Sequence, residues 1–282
     1  MGDRDWRPSG AGHIMEKFRV GAVNYLNTKP LIYGLDRLAP QIDVVLDLPS
    51  RLADRLASGE LDVALIPSVE YFHASGYTIL SDACIACRGP VLSVKLFSRV
   101  PAAEIRSLAL DEGSRTSAAL VRILLYERFG LEPRLETLPI GAAAADTSAD
   151  AVLLIGDRAM RPQPENFVEV WDLGDVWCRW AELPFVFAMW TARAGRDLSG
   201  LDAALSEARD LGLRSLDEIA GRESAALGMS AEDCLGYLRD NLYFYLGPRE
   251  VRGLEHFYRL ASRMQLVPQG VELGLPDCQN SR

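Results

Sequence analysis

The sequence predicts an α/β protein of two lobes, each a mostly parallel sheet flanked by helices, with a C-terminal helical segment returning onto the first lobe. Three observations predict it. Short apolar runs alternate with amphipathic segments over the first two-thirds of the chain, the pattern of strands covered on both faces by helices. After Arg193 the periodicity is helical alone, as far as about Leu266. The length, 282 residues, suits two domains of ordinary size.

Taken in order, the strand-like stretches are FRVGAV (18–23), IDVVLDL (42–48), LDVALIP (61–67), PVLSVKLFS (90–98), SLALD (107–111), PRLETLP (133–139), DAVLLIG (150–156) and PFVFAMWTAR (184–193). Between them, PSRLADRLASGE sets Leu52, Ala53 and Leu56 on one helical face. SRTSAALVRILLYERFG repeats Leu120, Ile123 and Leu124 and ends on Gly130, a normal helix stop. GAAAADTSAD (141–150) reads as a connection, and Gly212, Gly228 and Gly247-Pro248 read as helix stops in the tail. The expected division is a disordered extension over 1–17, a discontinuous first lobe of 18–99 plus 194–282, and a second lobe of 100–193. A ligand cleft is expected between the lobes.

Composition excludes several classes. A net charge of −9 without a Lys/Arg cluster argues against a general nucleic-acid binder. It leaves room for an anionic small molecule in a locally positive pocket. No apolar run approaches a membrane span, and MGDRDWRPSGAGHIMEK carries no apolar core or small-residue cleavage site of a secretory signal. Five scattered cysteines fit a reduced, cytoplasmic protein. Cys84 and Cys87 form a lone C-x-x-C without further ligands at metal-binding spacing, so they read as two small strand residues and no metal is expected.

In open parallel sheets, ligands bind beyond the carboxyl ends of the strands, where helix N-termini present free N–H groups. The residues just after each strand are therefore the informative ones. The first strand ends in Asn24-Tyr25-Leu26-Asn27-Thr28-Lys29-Pro30. Thr28 or Asn27 could cap a helix that Pro30 begins, but capping explains only one of these polar groups. Ser68 follows the third strand, and Ser93 sits inside the next apolar run. Ser114-Arg115-Thr116-Ser117 opens a long helix, and Asp157 follows DAVLLIG. Three hydroxyls and a guanidinium at a helix start suit a carboxylate or phosphate. Each residue also has a plainer structural account. Ser114, Thr116 and Asp157 can be helix caps, Ser93 a hydroxyl bonded within its own sheet, and Arg115 a solvated side chain. Together they describe a neutral-polar cleft that holds an anion through hydrogen bonds and helix dipoles.

Ordinary catalytic equipment is sparse. The histidines are His13, His73 and His256, and neither G-x-S-x-G nor a Cys/His pairing occurs. An enzyme built this way performs chemistry that needs little acid–base machinery.

The stretches VGAVNYLNTKPLIYGL, LDVALIPSVEYF, GPVLSVKLFS, SRTSAALVRILLYERFG, AVLLIGDRA and WAELPFVFAMW, in this order over about 18–193, resemble the chorismate dehydratases of the futalosine route to menaquinone. The resemblance implies a two-lobed periplasmic-binding-protein type II fold and a cytoplasmic hydro-lyase. That enzyme turns chorismate into 3-[(1-carboxyvinyl)oxy]benzoate and water, without metal or redox cofactor, as a monomer or homodimer. On that expectation Asn27 positions the ring or the leaving hydroxyl, Ser93, Ser114, Thr116 and Ser117 hold a carboxylate, and Arg115 is a further substrate-binding candidate. Asn24 and Ser68 would line the first-lobe wall, and Tyr25 would stack on the ring. The proton would go to a substrate carboxylate, with Asp157 as the protein alternative. The related 1,4-dihydroxy-6-naphthoate synthases open with an S-P-C-P-N-D-T-like segment and carry a histidine where this chain has Gly156; both departures favour the dehydratase. A solute-binding protein or ligand-sensing module of the same fold is the non-enzymatic alternative.

Overall fold

A computed structural model describes residues 17–73, 76–161, 163–195, 197–198 and 200–274. The expected extension over 1–17, apart from Lys17, lies outside the described residues, as does His13.

Two sheets organise the chain. The first has six strands in the order β11-β4-β10-β3-β1-β2. These are β1 (Phe18–Val23), β2 (Ile42–Asp47), β3 (Val63–Pro67), β4 (Tyr77–Cys87), β10 (Phe185–Arg193) and β11 (Tyr243–Tyr245). The second has five in the order β7-β6-β8-β5-β9, namely β5 (Val94–Ser98), β6 (Ser107–Asp111), β7 (Arg134–Leu138), β8 (Ala151–Ile155) and β9 (Glu169–Asp172). Both sheets are mixed rather than mostly parallel. In the first, β1 runs parallel to β2 and β3, whereas β10 is antiparallel to β3 and β4. In the second, β6 is parallel to β7 and β8, whereas β5 is antiparallel to β8 and β9.

Sheet membership differs from the expected lobe boundaries. β5 belongs to the second sheet although it precedes residue 100, and β10 belongs to the first although it ends at 193. The reason is connectivity: the chain crosses between sheets at 88–93 and again just before Phe185, and both crossing strands pair antiparallel in the sheet they enter.

Burial explains which strands were readable. VALIP of β3 and AVLLI of β8 are buried at every position, as central strands covered on both faces must be. β4, of which the sequence marks only the Cys84–Cys87 end as strand, is longer than expected, and β9 and β11 are additional strands. The first mixes Ser and Asp into its apolar run, and the other two are short edge strands.

Helices cover the sheets: α1 (Leu35–Leu38), α2 (Pro49–Ala57), α3 (Ser68–Tyr71), α4 (Arg115–Phe129), α5 (Asp157–Met160), α6 (Leu173–Ala181), α7 (Leu201–Arg214), α8 (Leu216–Leu227), α9 (Ala231–Gly236) and α10 (Pro248–Arg263). α2 and α10 begin with proline at a first-turn position, and α4 ends on Gly130 in the left-handed conformation. Gly212, expected as a stop, lies inside α7. A Cβ there would stand 2.1 Å from the Pro30 carbonyl oxygen, so the glycine lets α7 press against the 3₁₀ turn Leu26–Ile32 that carries Asn27. Among the described residues, no helix is long and apolar enough to cross a membrane.

Candidate active site

Between the sheets lies a cleft lined by residues of both, the kind of place where small molecules bind. Val23, Tyr25, Asn27, Pro49, Pro67, Ile85, Phe187 and Ala188 line it from the first sheet's side. Val94, Ser114 to Ser117, Ile155 and Gly156 line it from the second, with Val91 and Ser93 from the crossover. The first-sheet wall is therefore mainly aliphatic and aromatic with one amide, Asn27, and the other carries hydroxyls and a helix start.

Seven of the ten expected site residues meet here: Tyr25, Asn27, Ser93, Ser114, Arg115, Thr116 and Ser117. Asn27 does not cap a helix. The chain enters a 3₁₀ turn whose N-cap position is Tyr25, with no side-chain cap bond. This turn buries Asn27 to 9% exposure, and Thr28 Oγ1 donates to its Oδ1 at 3.3 Å. Ser114 occupies the N-cap position of α4 but makes no side-chain cap bond, so its hydroxyl is not spent on the helix. The first-turn N–H groups of α4 have no acceptor within the helix and carry the positive end of its dipole.

Thr116 is differently employed. Its Oγ1 accepts the Val69 N–H at 3.1 Å and lies 3.4 Å from Ser68 Oγ. Ser68 spends its own proton on the Val186 carbonyl at 2.7 Å, which makes Thr116 the donor to Ser68. The pair therefore ties α4 to α3 across the cleft, and fully buried Ser68 does not line the cavity.

Arg115 lines the cavity with its guanidinium already paired. Its Nη2 donates to both oxygens of Asp54 at 2.8 and 2.9 Å, and its Nη1 to Glu70 at 3.1 Å. Both carboxylates belong to helices of the first sheet, so the charge is compensated and the contact latches the lobes. Asn24 is exposed, turned outward where the chain bends after β1, and its N–H donates to the Asp47 carbonyl at 3.1 Å. Asp157 also stands off the cavity lining. Its Oδ1 accepts the Leu26 N–H at 3.2 Å, another link between lobes. Burial raises the Asp157 carboxyl above its ordinary range.

Tyr25 reaches across from the first lobe, and its ring lies over Gly156. Burial, with the Asp111 carboxylate next, pushes its phenol up to about 12, so it stays protonated. Arg158, the other cation at this end, is paired with Asp111 and donates to the Ala142 carbonyl at 2.8 Å.

Two residues at the cavity, Tyr237 and Gly156, are not singled out by the strand-end argument. Tyr237 comes from the helical tail and donates its phenolic proton to Ser93 Oγ at 2.8 Å. Ser93 itself precedes β5 instead of lying within a strand, its N–H donating to the Val91 carbonyl at 2.7 Å and its carbonyl accepting the Gly156 N–H at 2.8 Å. Gly156 is legible only as a glycine after a strand, and Tyr237 has no strand end beside it.

Among the described residues, no group of three or more His, Cys, Asp or Glu could hold a metal ion. Cys84 and Cys87 are both buried in β4.

Comparison with known proteins agrees with this architecture. A chorismate dehydratase of Thermus thermophilus is 35% identical over 261 residues, covering 86% of this chain and 94% of that protein. A protein of Archaeoglobus fulgidus superposes with a TM-score of 0.73 at 17% identity, covering 90% of this chain and all of that one. The periplasmic aliphatic sulphonate binding protein of Escherichia coli gives 0.62 at 16% identity, covering 94% of this chain and 98% of that one. The last of these identifies the fold as that of a periplasmic binding protein. The family described by menaquinone biosynthesis matches residues 18–263, and this chain belongs to that family.

Proposed function

We propose that the protein is a chorismate dehydratase, a hydro-lyase forming 3-[(1-carboxyvinyl)oxy]benzoate and water. The observation that carries the reading is the pairing of Asn27 with the uncapped start of α4 across one cavity whose lining cation is already compensated. Such a cavity suits a dianion held by neutral donors, and the chain's kinship with a chorismate dehydratase supplies the substrate class.

The Ser114 and Ser117 hydroxyls and the first N–H groups of α4 hold one substrate carboxylate. The ring lies against Val23, Ile85, Ile155 and Phe187, with Tyr25 at one face. In that position, the C–H bond beside the leaving hydroxyl breaks. Its electron pair becomes the new ring double bond, and the C–O bond breaks to release hydroxide. The second substrate carboxylate takes the proton, desolvated by the apolar wall and held near the C–H it attacks. Proton and hydroxide together are the water released, and aromatisation drives the step. Asn27 and Ser93 supply hydrogen bonds to the departing hydroxyl, where charge develops. Asp157, turned to the Leu26 N–H, has a structural part in this scheme.

Purified protein mixed with chorismate should generate an aromatic absorbance. Folded protein that leaves chorismate intact would overturn the reading and favour a ligand-binding module.

A further inference from the structure

We propose that Tyr237 is a positioning residue that fixes the Ser93 hydroxyl as a hydrogen-bond donor into the cavity. The inference rests on reading the cavity as the dehydration site. Tyr237 is 2% exposed and does not line the cavity itself. Its phenol donates to Ser93 Oγ at 2.8 Å.

A serine hydroxyl has one proton and two acceptor positions. Tyr237 occupies an acceptor position, and both backbone groups of Ser93 are already engaged. The serine proton is left for the cavity, where a departing hydroxyl or a carboxylate accepts it. Accepting the phenolic proton also polarises the serine hydroxyl, strengthening it as a donor.

The backbone is arranged to hold this geometry. Ser93 N–H to Val91 carbonyl closes a three-residue turn about Leu92, which has φ +58°, a strained conformation for a branched residue. Residues Tyr237–Asn241 form a π-helical turn, a departure found often at functional sites. Its far end, Asn241 Nδ2, donates to the Pro90 carbonyl at 3.0 Å. One turn of the tail thus pins the crossover at both Pro90 and Ser93.

The test is a double-mutant cycle on chorismate turnover. Tyr237→Phe keeps the ring and should lower kcat about 10- to 100-fold, with KM changed less than about threefold, as expected for weakening rather than deleting one preorganised donor. In a Ser93→Ala background the same change should have no further effect on kcat. An unchanged kcat in Tyr237→Phe, or a full additional loss on top of Ser93→Ala, would overturn the proposal, since a merely structural tyrosine acts independently of the serine. Wild-type turnover of chorismate judges the reaction separately. If wild type leaves chorismate intact, or Tyr237→Phe does not fold, proton NMR of wild type and Ser93→Ala decides. A slowly exchanging Tyr237 hydroxyl resonance, present in wild type and shifted or lost in the variant, supports the proposal; a resonance unmoved by the substitution contradicts it.

Discussion

The Tyr25 ring lies so close over Gly156 that a Cβ on the glycine would stand 2.8 Å from the Tyr25 Cζ. The tyrosine follows β1 of the first sheet and the glycine follows β8 of the second, so the contact joins the lobes at the edge of the cavity. Gly156 has φ +68° and ψ −158°, a region that glycine alone occupies readily. Gly156→Ala should therefore lose about 1–3 kcal/mol of stability from backbone strain and displace the Tyr25 ring. Urea unfolding measures the first effect and KM for chorismate the second. The histidine that the resemblance assigns to naphthoate-forming relatives at this position has no room beneath that ring.

Asp157 gives a pH-dependent prediction. Burial raises its folded-state pKa, so the native protein binds this proton more tightly than the unfolded chain. The charged form then costs stability, a cost absent below the ordinary carboxylate range of about pH 4 and growing as pH rises toward the folded-state value. Asp157→Asn, whose amide oxygen can still accept the Leu26 N–H, should be more stable than wild type at neutral pH. The two should converge as pH falls to about 4; urea midpoints across this window check it. Turnover within about tenfold of wild type is expected, because one general base supplies about 10²–10⁴-fold and the scheme gives that role to the substrate.

Arg115 separates a latch from a ligand contact. Its partners Asp54 and Glu70 lie at a partly exposed cleft mouth, where ion pairs contribute about 0.2–1 kcal/mol. Arg115→Gln should raise KM no more than about fivefold, with kcat little altered. Added salt should raise KM for wild type more than for the variant. A loss of a hundredfold or more in KM would mean that Arg115 grips the substrate directly.

The start of α4 divides the same way. Ser114→Ala and Ser117→Ala should each weaken binding by about 1–1.5 kcal/mol, roughly five- to tenfold in KM. Thr116→Val removes the tie to Val69 and Ser68 and should register mainly in thermal stability. Equal KM effects from all three would contradict the division of labour at this helix.

Much of this site was legible because polar residues at strand ends have few reasons to be there. Asn27 and the SRTS helix start need only the rule that open sheets bind beyond their strand ends, whereas Ser93 stands out as a hydroxyl inside an apolar run. The residues that were misread failed for tertiary reasons. Nothing in the local sequence reveals that Arg115 finds two carboxylates from helices α2 and α3, or that Ser68 gives its proton to Val186 on β10. Asn24 and Tyr25 are neighbours, and only the direction of the bend turns one outward and the other into the cavity. Gly212 looked like a helix stop because its purpose, close approach to Pro30, lies some 180 residues away in the chain. Tyr237 was hidden most completely, since a tyrosine in a helical tail carries no local mark of what it touches.

The measurement closest to the central claim is mass spectrometry of the products when purified wild type and Asn27→Ala are incubated with chorismate under identical conditions. The account predicts a single product lighter than chorismate by one water, with an aromatic spectrum, in wild type. It predicts a fall of about 100-fold or more in Asn27→Ala, the scale of losing one preorganised donor at the developing charge, while that variant keeps its cooperative melting transition. Chorismate recovered unchanged from folded wild type, or near-normal turnover by folded Asn27→Ala, would contradict it.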